Sequence, residues 1–200
     1  MKSISLTEFL EAFFPDKDEK IYLRALKAKD APDNAENNPK QLSLTRRQLQ
    51  NDVKLQTKVK SLNKHRGMYF VVNAGGNQDN RIKRFNAFFV ENDNLSIDEQ
   101  NKRLDEAILQ PSIRLVTKKS VHAYWLIEGE CNETEWRDIQ HRLIGSFSGD
   151  KSIHNPSRVM RLPFFNHVSV AGEKLLYKRV ELTEFELTRR YTVEEMQQAF

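Results

Sequence analysis

The stretch GMYFVVNAGGNQDNRIKRFNAFFVEND, residues 67–93, decides the fold. Residues 67–73 and 85–91 are dense in β-branched and aromatic side chains, so each reads as a buried strand. Between them AGGNQDN, residues 74–80, supplies glycines and turn formers. The second run closes on Glu91-Asn92-Asp93. In a strand, positions i and i+2 share a face, which predicts that the Glu91 and Asp93 carboxylates project together.

Downstream, Ser96 and Glu99 have capping-box spacing and open a helix that Pro111 ends. Residues 113–117 and 121–127 read as a hairpin around Lys118-Lys119-Ser120. Trp136, Ile139, Leu143 and Phe147 mark one face of a third helix. Residues 159–162 form a short strand, a weaker strand covers 175–182, and TVEEMQQAF at the C-terminus starts a helix. Upstream, Ser5 and Glu8 cap a short helix bearing Phe9, Leu10, Phe13 and Phe14, ended by Pro15. IYLRALKA reads as a strand. KDAPDNAENNPK, residues 29–40, is a loop. Residues 45–64 are polar and helix-favouring, with Leu49, Val53, Val59 and Leu62 as a sparse apolar stripe. The order of elements from residue 67 on, β–β–α–β–β–α–β, predicts an α+β fold with helices packed on one side of an antiparallel or mixed sheet. The expected division is an N-terminal αβ unit over residues 1–66 and a second half over 67–190. The end of the sequence within a helix is expected of a piece of a longer protein.

Composition narrows the function. Two hundred residues can bury a sizeable core. Hydrophobic residues make up 38% and aromatics 10%, with 12 Phe, which excludes disorder throughout. Charges interrupt every apolar run short of a membrane span, and the early acids of MKSISLTEFLEAFF exclude a signal peptide. A single cysteine, Cys131, excludes a disulfide framework and a cysteine-zinc site. A soluble, intracellular protein is expected. The 32 Lys+Arg against 28 Asp+Glu give a net charge of +4, a mild excess that permits a nucleic-acid partner without demanding one. Residues 40–66 concentrate positive charge, including Lys54, Lys58, Lys60, Lys64 and Arg66, against one acid, Asp52.

Three clusters carry chemistry. Glu91 and Asp93 repel unless a cation lies between them, and Mg²⁺ or Mn²⁺ accepts such oxygen ligands. Lys118, Ser120 and His122 step by two along a second strand, so an ammonium, a hydroxyl and an imidazole on one face would cradle phosphates. Asp150, followed by Arg158 and Arg161 around a strand entry, adds a carboxylate and two cations. The two arginines have opposite parity, so one of them faces the site. Each cluster alone is equally an ordinary surface turn or hairpin edge.

Together, and in this order, they resemble the catalytic core of archaeo-eukaryotic primases, in the primase-polymerase and RepB-like branch. FFVEND matches that family's strand ending in acid-x-acid. SVHAYWLI after Lys118 matches its S-x-H motif, and Asp150 ahead of RVMRLP matches its third. The first ligand is Glu91 where many relatives carry Asp, and Phe164 follows Pro163 where the pattern often continues R-L-P-G. The resemblance implies an RRM-like sheet carrying the acids beside the N-terminal αβ unit. It also implies template-directed nucleotidyl transfer with two divalent ions, Mg²⁺ or Mn²⁺, on Glu91, Asp93 and Asp150. Lys118, Ser120, His122 and one of Arg158 or Arg161 would bind a dNTP or NTP, and Lys54, Lys58, Lys60, Lys64 and Arg66 a single-stranded DNA template and its primer. A monomeric, cytoplasmic enzyme of a bacterial, plasmid or phage replication system, compatible with an attached or associated helicase, is the corresponding expectation. Two other classes share these residues: a metal-dependent nuclease, which needs no triphosphate cradle, and a non-catalytic RRM-like nucleic-acid-binding module, which would present aromatics where this chain presents acids and a histidine.

Overall fold

The computed structural model describes residues 4–29, 31 and 38–200; residues 30 and 32–37 of the expected loop lie outside the described residues. The elements run α1 (Leu6–Glu11), β1 (Ile21–Lys27), β2 (Lys40–Leu44), α2 (Arg46–Asn51), α3 (Val53–Leu62), β3 (Arg66–Val71), β4 (Ala87–Val90), α4 (Ile97–Asp105), β5 (Ile113–Val116) and β6 (Val121–Ile127). They continue with α5 (Glu133–Ser146), β7 (Val159–Arg161), β8 (Asn166–Ala171), β9 (Lys174–Arg179), β10 (Glu181–Phe185), β11 (Arg190–Tyr191) and α6 (Val193–Ala199). The architecture is α+β, with largely antiparallel sheets and six helices among the described residues. None of these helices is long and apolar enough to cross a membrane.

The chain forms two compact units, Met1–Val71 with Val159–Val180, and Val72–Arg158 with Glu181–Phe200. The boundary expected at residues 66 and 67 is therefore corrected. β3 pairs with β1 and β7 rather than with β4, and β7, β8 and β9 return to the first unit.

In the first unit an antiparallel sheet has the order β2-β1-β3-β7. The Ser5–Glu8 capping box starts α1 as expected and buries Phe9. Phe9, Phe13 and Phe70 pack with ring centroids 5.2–5.5 Å apart. Burying each such ring contributes about 1.5–3 kcal/mol. The helix expected over residues 45–64 is two helices. Asp52 breaks it in an extended conformation, and its carboxylate caps α3 by accepting from Leu55 N–H at 3.0 Å. Val53, expected in the apolar stripe, is consequently 70% exposed. The strand expected over 175–182 is also divided: β9 belongs to a hairpin with β8, and β10 to the other unit. Phe164, at the position where the family pattern often has Gly, adopts φ 69°, the left-handed region that favours glycine.

In the second unit β6 is central. It pairs antiparallel with β5 and β4 and parallel with β11, and β10 extends the sheet beyond β5. Trp125, Trp136, Tyr124, Phe88 and Phe89 are fully buried. Two buried glutamines fasten helices to this sheet. Gln140 on α5 donates to Phe89 C=O at 2.7 Å and accepts from Phe89 N–H at 3.1 Å. Gln100 on α4 accepts from Val121 N–H at 2.7 Å. α4 ends at Asp105, well short of Pro111.

Candidate active site

The site grows from the ends of two adjacent strands in the second unit. β4 and β6 run with Val90 opposite Ala123, and the next step of that register sets Glu91 opposite His122. Glu91 Oε2 lies 2.7 Å from His122 Nε2, with the histidine 2% exposed and the glutamate 18%. His122 Nδ1 is buried and has no hydrogen-bond partner, so the ring's polar contact is with the carboxylate. Tyr124, one pleat further along β6, is fully buried. Burial, and then the charge of Glu91, push its phenol above the ordinary value.

The third motif is brought to the first by backbone. Asp150 N–H donates to Glu91 C=O at 2.8 Å. Gly149 permits this approach, because a Cβ there would meet Val90 Cγ2 at 2.6 Å. The Asp150 carboxylate accepts from Ser152 N–H at 2.8 Å and from its hydroxyl at 2.9 Å. Arg158 stands between the acids, its Nη2 4.0 Å from Glu91 Oε1, 3.9 Å from Asp150 Oδ2 and 3.1 Å from Ser152 Oγ. The loop before Arg158 is held by Asp79, which accepts from Ser157 N–H at 2.9 Å. Burial raises the Asp79 carboxyl, but hydrogen bonds from Ser157 and Asn155 and the charge of Arg137 outweigh it and hold the group below its usual range.

Several sequence expectations are corrected. β4 ends at Val90, so Glu91 and Asp93 are not two steps of one strand. The chain turns at Asn92, whose side chain accepts from Asn94 and Leu95 N–H at 2.8 and 3.1 Å, and Asp93 is exposed. Lys118 likewise precedes β6, in a tight turn, and is exposed. Ser120 is buried, with its hydroxyl 3.2 Å from Thr117 Oγ1. Lys118 and Ser120 thus lie in the turn before β6 and only His122 in the strand, so the three are not successive steps of one strand. Arg161 lies in the first unit, 4.7 Å over the Tyr69 ring with Nη2 3.1 Å from His167 Nε2. Of the basic residues read as template contacts, Lys54, Lys58, Lys60 and Lys64 are exposed. Arg66 is buried at 7%, with Nε donating to Asn38 C=O.

Glu91 and Asp150 converge on one positively charged nitrogen, so this pair of donors fits a cation. Among the described residues no three His, Cys, Asp or Glu side chains form a group that could hold a metal ion, and the three-carboxylate set is not assembled. Asn92, Gln100, Gln140 and Asp79, which position the strand ends and the arginine loop, were missed by the sequence reading. Gln140 gives a weak local signal, a polar residue on the apolar face of its helix; Asn92, Gln100 and Asp79 sit in polar stretches and give none.

A scan of protein-family models gives no match, and a search of curated protein sequences gives none. Among solved structures the chain is similar to the AEP domain of the cyanophage S-2L primase-polymerase, at 26% identity and a TM-score of 0.74, over 96% of this chain and 94% of that one. It is also similar in fold to primase RepB′, at 13% identity and a TM-score of 0.64, covering 98% of this chain and 62% of that one. The catalytic domain of RepB′ in complex with initiator DNA gives 14% identity and a TM-score of 0.63, over 97% and 93%. The fold is that of a primase-polymerase catalytic domain. The archaeo-eukaryotic primase-polymerase fold expected from the three motifs is thus the fold these neighbours share with this chain.

Proposed function

We propose that the chain is a template-dependent nucleotidyltransferase of the primase-polymerase type, joining dNTPs or NTPs on a single-stranded DNA template. The observation that carries this reading is the meeting of three sequence-distant motifs in one unit: Glu91 on His122, and Arg158 between Glu91 and Asp150. The similarity to a phage primase-polymerase domain across nearly the whole chain supports it.

In this reading Glu91 and Asp150 would hold divalent Mg²⁺ or Mn²⁺, and Asp93 would have to swing in from its exposed turn to complete the set. When bound, such ions neutralise charge at the α-phosphate and on the leaving pyrophosphate. His122, enclosed and with Nε2 on Glu91, acts through that carboxylate by holding it in one orientation. Arg158 and Lys118 supply the remaining positive charge, through charge-assisted hydrogen bonds that strengthen as the phosphate oxygens gain charge. Ser120 acts by closing the turn that presents Lys118. Arg158 takes the phosphate role rather than Arg161, because it shares a unit with the acids.

The test supplies single-stranded template, labelled nucleotides and either Mg²⁺ or Mn²⁺, with and without primer. Incorporation that disappears in Glu91→Gln and Asp150→Asn is the expected result. Template cleavage without incorporation would replace this reading with a nuclease. Binding without either reaction would replace it with a non-catalytic module.

A further inference from the structure

A groove in the first unit, remote in sequence from the three motifs, has the chemistry of a polynucleotide track. It lies between the C-terminal end of α3 and the β8–β9 hairpin, lined by Lys60, Lys64, His65 and Tyr177 over a floor of Asn63 and Asn166. It continues past Phe164 to Arg179. No acidic residue lines it among the described residues.

The groove is built rather than incidental. Asn63 is buried at 7%, and its side chain joins the helix end to the hairpin. Its amide donates to Asn166 C=O at 2.9 Å and to Arg66 C=O at 2.8 Å, and its oxygen accepts from Asn166 N–H at 2.7 Å. Asn63 thus pairs with one strand residue as a neighbouring backbone would. Asn166 is opposite Arg179 and Val168 opposite Tyr177, so Tyr177 and Arg179 project to the same face of the hairpin as Asn166. The Tyr177 hydroxyl donates to Lys64 C=O at 2.9 Å, yet the residue is 52% exposed. An aromatic ring is therefore tethered by its polar end, with apolar surface offered to solvent between cations. An exposed ring of this kind costs free energy in water unless something flat covers it.

We infer that this groove binds a single-stranded polynucleotide, with one base stacked on Tyr177 and phosphates paired to Lys60, Lys64 and Arg179. Base stacking on a fixed ring beside a cationic groove is tolerant of sequence, because every base presents a π face. The inference rests on the reading that the chain handles nucleic acid, but it concerns a surface that needs neither metal nor nucleotide. It also divides the basic stretch. Lys58 and Lys60 are about 200° apart around α3, so only Lys60 borders the groove.

The test is fluorescence anisotropy with labelled (dT)12 and (U)12, on the whole 200-residue chain in EDTA without nucleotide. Tyr177→Ala is expected to raise Kd roughly five- to a hundredfold, whereas Tyr177→Phe, which keeps the ring, stays within a few-fold. Lys60→Glu and Lys64→Glu each lower the slope of log K against log salt by about 0.7. Comparable affinity for (dT)12 and (U)12 assigns the groove to phosphate and base face; a preference that persists between (dU)12 and (U)12 assigns a further contact to the sugar. Wild-type affinity in Tyr177→Ala, or an equal loss in Lys58→Glu and Lys60→Glu, overturns the groove in favour of diffuse charge. So does preference for blunt duplex unaffected by Tyr177. Thermal melts of each variant exclude unfolding as the cause of a loss. Because incorporation is scored separately, Tyr177-dependent binding by a chain that incorporates nothing removes the polymerase reading alone. Incorporation with Tyr177-independent binding removes the groove alone.

Discussion

His122 and Glu91 form the most enclosed contact between ionisable groups in the site, and each limits what the other can do. The imidazole is reached by almost no water, so removing it leaves Glu91 without its nearest donor. His122→Ala is expected to raise the KM for nucleotide, lower kcat, or both, by about ten- to a hundredfold, corresponding to roughly 1.5–3 kcal/mol. Steady-state kinetics check this, and affinity for primer–template without nucleotide is the control that separates a site defect from a binding defect. At this scale the sequence was legible in residue types and misleading in direction. The alternation rule places Glu91 with Asp93 and Lys118 with His122. In each case, however, one member lies in a turn, where hydrogen bonds to Asn92 or Thr117 orient the backbone. Side-chain parity holds only while the ladder continues.

Elements whose signal is local were readable; those decided by distant partners were not. The α1 capping box and the α5 face follow from residues within one or two turns, and both are present. β2, KQLSL, has only two apolar residues and exists because its backbone pairs with β1, which no local pattern announces. β3 reads as a strand in its own right, but its choice of β1 and β7 over β4 depends on the whole topology. Asp52 is an intermediate case: an acid in a helix-favouring stretch that starts a new helix instead of decorating one. Asp52→Ala removes the acceptor for Leu55 N–H and should lower stability by about 1 kcal/mol, read as a reduced thermal midpoint. An unchanged midpoint would show that packing alone holds the break.

At the scale of the molecule, Asp79 contributes to acid stability. Its carboxyl is held below the ordinary value, so the stability it adds is present above about pH 4 and is lost as pH falls through its lowered folded value. Asp79→Asn should therefore flatten the acid limb of the stability–pH curve while lowering the plateau near neutrality. Denaturant melts between about pH 2 and 7 check this. A plateau that stays level with an acid limb of unchanged steepness would assign acid sensitivity to other carboxylates.

The interleaving of the two units bears on how the polypeptide is made. β3 waits for β7, from Val71 to its partner Val159, before its second edge is covered. The second unit in turn lacks β10, β11 and α6 until residues 181–200 have been added. The first unit therefore cannot finish folding before residue 180 is made, nor the second before residue 200, and each exposes an unpaired strand edge through most of synthesis. A slow stretch of translation, or a nick near residue 158, would leave two incomplete sheets at once, so chaperone demand during expression should far exceed what the size of the finished molecule suggests.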